Sequence, residues 1–302
     1  MKNLSEFLLT VVIPNYNNAK YIKKCIYSIF EQSYSGIAQV IIVDDCSTDN
    51  SIQVIEELMK EYPTIRLVAL SENAGVSNAR NMGLNCVQTK YVTFIDADDF
   101  YFNKDKLKNE MELIVKYKKQ FGKDVLSYSS VVTAQNDLSQ FYYPPVNKRA
   151  YLQGNVRINL LKGRNFKTIM RDYCISTQVL RNVGGYNFER NLYEDWELLL
   201  KLSRQVNFYC TFEYGTAYRS SINGLSKRPI YLLKEKKNEI FYDQIQDISN
   251  RVKCEIFTVK IVLDTKASFK RKYYQTRRKT KSILIMFGIY DSIQKKRKTK
   301  VK

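Results

Sequence analysis

The chain has 302 residues, of which 44% are hydrophobic, and its 49 basic and 30 acidic residues give a formal net charge of +19 at pH 7. This composition is typical of a globular protein and excludes an intrinsically disordered chain. The chain contains no histidine, which excludes Ser-His-Asp and Cys-His catalysis and histidine zinc sites. The positive charge indicates an anionic partner.

Two further features indicate where the protein works. Its six cysteines are scattered without a C-x-x-C pair, so we expect reduced, mostly buried thiols. The N-terminal residues do not resemble a signal peptide, because Glu6 interrupts the apolar stretch, and no apolar run approaches the roughly 20 residues of a spanning helix. We therefore expect a cytoplasmic protein.

The first third of the chain alternates predicted strands and helices. β-branched runs predict the strands, and apolar residues at helical spacing predict the helices between them, with Asn18 and residues 47–50 as candidate caps. The strands are predicted at 8–13, 40–43, 65–70 and 91–95, and the helices after 18, after 50 and over 77–86. This order predicts an α/β fold with a Rossmann-like, mostly parallel central sheet flanked by helices.

The rest of the chain is less regular. The later predicted elements are a helix over 104–120, a strand over 124–134, a loop-and-helix stretch over 135–175, a tight turn at Gly184–Gly185, a helix over 196–202 and a strand over 207–214. We place a catalytic domain at residues 1–230 and a helical, strongly basic extension at residues 231–302.

Acidic residues directly follow two of the predicted strands. Asp44 and Asp45 come after one strand, and Asp96 and Asp98 after another. Ligands of open α/β sheets bind at the carboxyl ends of the strands. In extended backbone alternate side chains share a face, so Asp96 and Asp98 would converge on one Mn²⁺ or Mg²⁺ and the phosphates it brings. The alternative is a pair of surface turn aspartates, which is about equally common for an isolated D-x-D.

Three other segments carry polar groups at predicted element ends. After the first strand, Tyr16 would stack on a nucleobase, although an ordinary Pro-Asn turn is commoner. The glycine turn at Gly75, with Arg80 in the following helix, would suit a diphosphate; the alternative is a capped helix with a solvated arginine. Glu194 and Asp195 begin a predicted helix, where a carboxylate is also simply a good cap.

Together and in this order, these segments resemble the family 2 glycosyltransferases of the GT-A fold. The likeness is dense over residues 8–100 and returns at 184–203. The matching stretches are Val11–Asn17, Val43–Asp49, Asn73–Gly83, Phe94–Asp99 and Gly184–Tyr186 leading to Glu194–Trp196.

The resemblance implies an inverting transfer from a nucleotide-diphosphate sugar, with UDP-sugar as the expected donor, to a hydroxyl of a glycan or lipid-linked acceptor in bacterial surface polysaccharide synthesis. Asp195 would be the general base. Asp98, with Asp96, would hold the metal that stabilises the departing diphosphate. The residues implied for donor binding are Pro14, Tyr16, Asp44, Asp45, Asn73, Gly75, Arg80, Asp96 and Ala97, with Asp44 on the base edge and Asp45 supporting the turn.

One departure from the family pattern affects the metal site. Ser220 and Ser221 stand in the late loop where relatives often have a histidine. If that histidine is a metal ligand in relatives, water or substrate oxygens complete the metal shell here, and metal affinity is weak.

The excess positive charge belongs to the C-terminal end. Between Lys266 and Lys302 there are fourteen basic residues against the single acid Asp291, a net +13. Apolar residues at 283, 286, 287, 290 and 293 would form one stripe of a basic amphipathic helix, which predicts binding to an anionic membrane surface and a peripheral location on its inner face. The alternatives are a solvated basic end and nucleic acid, but no base-reading motif accompanies the charge, so we expect no specific nucleic acid partner.

Two other functions stay open at this point. A nucleotidyltransferase would also bind a metal through carboxylates on an α/β sheet, but it would need a basic, glycine-rich phosphate loop near the N-terminus, which Pro14–Asn17 is not. A non-catalytic protein that binds nucleotide sugars or polyanions would use the same residues without turnover.

Overall fold

The computed structural model describes residues 7–146, 151–162, 169, 172–190, 192–220, 230–246 and 248–249, with the backbone alone for 230–236. The strands are β1 (Leu9–Asn15), β2 (Ile37–Asp44), β3 (Ile65–Ala69), β4 (Tyr91–Phe94), β5 (Phe100–Tyr101), β6 (Val125–Ala134), β7 (Phe141–Tyr142), β8 (Ile175–Ser176) and β9 (Asn207–Arg219). The helices are α1 (Ala19–Phe30), α2 (Ser51–Glu61), α3 (Val76–Cys86), α4 (Lys106–Phe121), α5 (Arg157–Leu161), α6 (Thr177–Asn182), α7 (Glu194–Leu202) and α8 (Ile230–Gln244).

The central sheet has the strand order β3-β2-β1-β4-β8. Its first four strands are parallel, and only the short β8 runs antiparallel, against β4. This confirms the mostly parallel α/β sheet that the β-branched runs predict. Asn15 of β1 lies opposite Asp44 of β2, so the polar residues that end these strands lie together at the carboxyl edge of the sheet.

A second sheet has the order β5-β9-β6-β7. One of its two inner strands, β9, pairs in parallel with β6 and antiparallel with β5. The strand continues to Arg219, beyond the predicted end at Tyr214, because residues 216–219 find partners in β5 and β6. Such pairing depends on distant parts of the chain, and local composition does not signal it.

The predicted cap at Asn18 is wrong, whereas the predicted segment 47–50 does supply a cap for α2, through Asp49. Neither Asn18 nor Asn50 makes a side-chain cap hydrogen bond. The carboxylate of Asp49 instead accepts from the amide of Ala19 (3.0 Å) and from that of Ser51 (2.9 Å). One aspartate thereby satisfies an N-terminal amide of two neighbouring helices, α1 and α2.

Helix α3 packs very closely on the central sheet. A Cβ placed on Gly83 would lie 2.3 Å from Cγ1 of Val12 and 3.2 Å from Cγ2 of Val43. Glycine is therefore required where the helix crosses β1 and β2, and its absent side chain sets the height of α3 above the sheet edge.

The described cysteines, Cys25, Cys46, Cys86, Cys174 and Cys210, are free thiols, as predicted. No helix in the described part of the chain is both long and apolar enough to cross a bilayer. The chain divides into two units, Met1–Phe241 and Tyr242–Lys302. The boundary that we place at residue 230 falls at the first residue of α8. The predicted tail helix at 283–293 lies outside the described residues.

Candidate active site

A cleft of about 480 Å³ opens at the carboxyl edge of the central sheet. Its walls come from the ends of β1, β2 and β4, from the loop between β3 and α3, and from the loop before α7. The predicted site residues that line it are Pro14, Tyr16, Asp45, Asn73, Gly75, Asp96, Ala97 and Asp98. Thus eight residues from four separate segments meet around one opening.

Asp45 holds the loop between β3 and α3 against this cleft. Its carboxylate accepts from the amides of Ala74 (2.9 Å) and Gly75 (2.8 Å), and its carbonyl accepts from the side-chain amide of Asn73 (3.1 Å). Gly75 takes φ = +87°, a left-handed conformation that favours glycine, directly before α3. The expectation that Asp45 supports a turn fits these contacts.

Asp44 is placed differently from Asp45. Its carboxylate is fully buried and accepts from Asn15 Nδ2 (2.6 Å), Ser47 Oγ (2.6 Å) and the amide of Ser47 (2.9 Å). It does not belong to the cleft lining. Asp44 therefore fixes the end of β1 to the start of the β2–α2 loop, and the cleft presents Asp45 in its place.

The cleft wall also contains buried polar atoms without a hydrogen-bond partner among the described residues. These are Oδ1 of Asn15 and Oγ of Ser77, both in residues that line the cleft. Because an unmade hydrogen bond in a buried place costs about 1–3 kcal/mol, such atoms favour a polar ligand at this end of the cleft.

The D-x-D segment forms a turn, and the expectation that it is extended is wrong. The amide of Asp99 donates to the carbonyl of Asp96 (3.0 Å), which closes a turn directly after β4. As a result a third carboxylate joins the pair, and oxygens of Asp96, Asp98 and Asp99 all lie within 4.8 Å of one another. Three carboxylates this close suit a hard cation such as Mg²⁺ or Mn²⁺.

The strand β9 anchors this acidic turn, which we define as Asp96–Asp99. The amide of Arg219 donates to Oδ1 of Asp99 (2.8 Å), and its Nε donates to the carbonyl of Asp98 (2.8 Å). The thiol of Cys25, in α1, contacts the carbonyl of Asp96 at 3.7 Å. Burial raises the pKa of that thiol, with further increases from the three aspartates, so it stays protonated.

Arg80 lies behind the cleft and not on its surface. It is buried; Nη2 contacts Oδ1 of Asp96 at 2.8 Å and Nη1 contacts Oε1 of Glu194 at 3.2 Å. Its guanidinium also lies over the ring of Tyr186, 5.1 Å from the centroid. The sequence places Arg80 near the base or diphosphate, whereas in the structure it joins the acidic turn to the start of α7.

Asp195, the predicted base, follows directly after Glu194 in the first turn of α7. Its carboxylate is partly exposed, and Oδ1 accepts from the amide of Trp196 (2.7 Å). Tyr193 precedes the helix with φ = +61°, a left-handed residue that turns the chain into α7. Asp195 does not itself line the cleft, and the Asp96–Arg80–Glu194 ion pairs connect the residue before it to the acidic turn.

Two cleft residues were not predicted from the sequence. Phe188 and Arg190 line the cleft from the loop that precedes α7. Nε of Arg190 contacts Oε2 of Glu197 at 3.1 Å, and Nη1 contacts Oε2 of Glu239 at 2.8 Å. Neither residue belongs to a motif or a periodic run, so only the path of the loop after the Gly184–Gly185 turn reveals them.

A buried ion cluster lies beneath the second sheet. Nζ of Lys106 contacts Oε1 of Glu110 at 2.8 Å, Oδ2 of Asp172 at 3.6 Å and the carbonyl of Asp172 at 2.7 Å. Burial lowers the pKa of Lys106, but the two carboxylates outweigh it and hold that pKa above its ordinary value. Asp172 also shares a small cavity with Asp96 and Asp99, so this cluster supports the acidic turn from behind.

The family model for "Glycosyl transferase family 2" matches residues 10–183, more than half of the chain. The chain belongs to this family. The match covers the cleft residues from Pro14 to Asp98, including the acidic turn, and it ends just before the Gly184–Gly185 turn.

Two curated relatives are named as bacterial enzymes of teichuronic acid and teichoic acid synthesis. The chain is 35% identical to a putative teichuronic acid biosynthesis glycosyltransferase, TuaG, of Bacillus subtilis over 46% of its own length and 53% of the relative's. It is 28% identical to a teichoic acid poly(glycerol phosphate) polymerase of Staphylococcus epidermidis over 84% of its length and 35% of the relative's. The chain thus spans about half or less of these relatives.

Solved structures confirm the GT-A fold class. The S. aureus protein TarS, residues 1–349, in complex with UDP-GlcNAc superposes with a TM-score of 0.66 at 18% identity, covering 88% of this chain and 75% of that one. The complex of the same TarS fragment with UDP gives a TM-score of 0.63 at 19% identity, with 88% and 73% coverage. This chain and TarS therefore share the mixed α/β architecture, although their sequences are only 18–19% identical.

Proposed function

We propose that this family 2 protein is an inverting glycosyltransferase that moves a sugar from a nucleotide-diphosphate sugar, with UDP-sugar as the donor, to a hydroxyl of a glycan or lipid-linked acceptor. One observation carries the proposal: the Asp45-braced loop and the acidic turn both line one cleft. The names of the relatives support a role in bacterial surface polysaccharide synthesis.

The nucleoside would bind at the end of the cleft formed by Tyr16, Asp45 and Asn73. Tyr16 is exposed there and offers a ring for stacking on the base. The unpartnered Oδ1 of Asn15 and Oγ of Ser77 support a polar ligand on this wall. UDP as the nucleotide is supported by the UDP and UDP-GlcNAc complexes of the structurally similar TarS.

The diphosphate would lie beside the acidic turn. Asp96 and Asp98, together with Asp99, would hold Mn²⁺ or Mg²⁺ there, since each contributes a carboxylate oxygen to one small cluster. A divalent cation in this place supplies positive charge that stabilises the departing nucleoside diphosphate. Arg80 contacts the carboxylate of Asp96, and Arg219 contacts the carboxylate of Asp99 and the carbonyl of Asp98, so the acidic turn would be held in place before a donor arrives.

Asp195 would take the proton from the acceptor hydroxyl. Aspartate side chains are generally ionised at neutral pH and therefore suit a base. Attack of that hydroxyl on the anomeric carbon, opposite the departing diphosphate, inverts the configuration. The Arg80–Glu194 ion pair would hold the start of α7 to the acidic turn through Asp96, which would make Arg80 a positioning residue.

The basic C-terminal segment would place the enzyme on the inner face of the cell membrane, beside a lipid-linked acceptor. Its net charge of +13 over residues 266–302 supports this location, since each Lys or Arg near anionic lipid contributes about 1 kcal/mol.

The test measures binding and turnover separately on the purified protein. With Mn²⁺ and a panel of nucleotide sugars, we expect a thermal shift and slow release of UDP from one donor. Asp98→Asn should lose the metal-dependent part of the shift. Asp195→Asn should keep the shift and lose about 10²–10⁴-fold of transfer, and Glu56→Gln, on the exposed face of α2, should match the wild type.

Other outcomes would support the other two functions. A thermal shift without any turnover would indicate a non-catalytic binding protein. Release of pyrophosphate from a nucleoside triphosphate and a sugar phosphate would indicate a nucleotidyltransferase. Full transfer by Asp195→Asn would exclude Asp195 as the base.

A further inference from the structure

Four aromatic rings form a continuous surface on one face of the second sheet. We call this surface, made of Phe102, Phe141, Tyr143 and Tyr214, the aromatic platform. The ring centroids of Phe102 lie 5.9 Å from Phe141 and 6.0 Å from Tyr143, and Tyr143 lies 5.5 Å from Tyr214. Phe102 is 39% and Tyr143 48% exposed, so rings that touch one another also face solvent.

The platform is held in place from beneath. Phe141 and Tyr214 pack on a small core of Phe100, Val132 and Ala217. The hydroxyl of Tyr214 donates to the carbonyl of Pro144 at 2.7 Å, which fixes the turn that follows Tyr143. Rings supported in this way lose little conformational freedom when a ligand covers them, which favours binding.

The platform is close to the acidic turn along the chain. Phe102 follows Asp98 by four residues, and the amide of Phe102 donates to the carbonyl of Gly215 in β9. Because each residue spans at most about 3.6 Å, the Cα atoms of Asp98 and Phe102 lie within about 14 Å of each other. A polymer whose reacting end lies at the acidic turn therefore reaches the platform within a few units.

Positive charge lies near the small core that supports the platform. Nζ of Lys24 on α1 lies 4.5 Å from the ring centroid of Phe100, a member of that core. Lys20 and Lys23 are exposed on the same helix, α1. Rings that can cover the C–H faces of a polyol or sugar, beside ammonium groups that attract phosphate or carboxylate, match a polyhydroxylated anionic chain.

We propose that the aromatic platform binds the acceptor polymer, an anionic polyol-phosphate or glycan chain, several units away from the reacting hydroxyl. This inference rests on the proposed function, because the acidic turn is taken as the place of transfer. It assigns the platform to the acceptor and leaves the donor cleft to the nucleotide sugar.

The test compares Phe102→Ala/Tyr143→Ala with the wild type and with Phe121→Ala. Phe121 is the matched control, since it is 45% exposed at the end of α4, where it stacks on Tyr117. Each full-length protein runs in native gels that contain deacylated poly(glycerol phosphate) or neutral dextran. We expect poly(glycerol phosphate) to retard the wild type and Phe121→Ala, and its apparent Kd to rise about tenfold or more in the double variant. Dextran should retard all three proteins less.

A UDP thermal shift with Mn²⁺, measured on the same proteins, separates the two proposals. Equal shifts with selective loss of polymer binding support the platform as an acceptor site. Equal retardation of all three proteins, or none for the wild type, overturns it even when UDP binds. A double variant that instead loses binding to anionic vesicles, or changes its elution volume, also overturns it by identifying a bilayer or a second copy as the occupant. Polymer binding without any UDP shift would support the platform and count against the transferase.

Discussion

Two carboxylates from distant parts of the chain share the guanidinium of Arg80. Asp96 belongs to the acidic turn and Glu194 to the first turn of α7, and both contact nitrogens of the same buried side chain. These three charged groups are largely shielded from solvent. Removing one of them would leave its partner unpaired, and burying an unpaired charge is unfavourable. Arg80 therefore holds together the part of the site that would bind metal and the part that would carry the base.

Removing this guanidinium should destabilise the whole protein. For Arg80→Met we expect a loss of about 3–5 kcal/mol in the free energy of unfolding, measured by urea denaturation, since Asp96 and Glu194 lose their buried partner. Arg66→Met, on the exposed side of β3, should change it by less than about 0.5 kcal/mol. Equal stability of Arg80→Met and the wild type would contradict the ion-pair geometry.

The second prediction at the scale of single residues concerns the affinity of the site for a metal ion. Ser220 and Ser221 occupy the stretch where relatives often carry a histidine; the amide of Ser220 donates to the carbonyl of Ala134 (2.8 Å), and Ser221 lies outside the described residues. With oxygen ligands alone, we expect transfer activity to require a large molar excess of Mn²⁺ or Mg²⁺, measured by metal titration after dialysis. Full activity in excess chelator would contradict this expectation.

Helix α3 illustrates how one missing side chain positions an entire element. Gly83→Ala should cost about 1–3 kcal/mol, because the new methyl group would overlap Val12 and force the helix away from β1. Asn85→Ala, on the exposed face of the same helix, should be neutral or slightly stabilising, since alanine is the better helix former. Urea denaturation of both variants distinguishes close packing from propensity.

The carboxylate of Asp49, which accepts from the first amides of α1 and α2, leads to a prediction about pH. Partial burial raises the pKa of Asp49, but the hydrogen bonds from Ser51 and Ala19 outweigh it and hold the pKa below its ordinary value. Asp49 therefore stabilises the fold above about pH 3.9, and this contribution is lost as the pH falls through its lowered folded-state pKa.

Asp49→Ala should consequently cost about 0.5–2 kcal/mol at pH 7, and the difference from the wild type should shrink as urea unfolding is repeated at pH 4 and pH 3. Glu57→Ala, exposed on α2, should show no such pH-dependent difference. A constant difference at every pH would argue against the hydrogen bonds of Asp49.

Strands and helices were predictable in proportion to their length. The runs that become β1, β2, β3 and β4 are long enough to show their β-branched pattern, and the helices between them show helical spacing. β5, β7 and β8 have two residues each, too few to show any period, and they exist only through pairing with distant strands.

Site residues were predictable where they directly follow a recognisable strand. The sequence located Asp96 and Asp98 because both follow a buried strand directly. It did not show that they lie in a turn with Asp99, that Asp44 is buried, or that Arg80 contacts Glu194, 114 residues further along the chain. Those facts depend on the packing of α3, α7 and the sheet, which no local pattern records.

For the whole molecule, charge is distributed very unevenly. The last 37 residues hold +13 of the total +19, while the described fold includes many close ion pairs. A protein ending at Lys266 should lose sedimentation with anionic vesicles, while its UDP thermal shift stays unchanged. The full chain should sediment less as salt increases, because screening weakens attraction to the surface. Unchanged sedimentation of the shortened protein would refute the membrane role of the tail.

The place of β9 affects how the chain is made. This strand lies between β5 and β6, which are synthesised long before it, and it brings Arg219 to Asp99 across 120 positions. On the ribosome, the first four strands of the central sheet emerge while the second sheet still lacks β9, one of its two inner strands. Contacts between such distant positions slow folding and leave unpaired strand edges exposed to aggregation. We therefore expect translation that stops before β9 to yield chains that need chaperones, however well their first hundred residues fold.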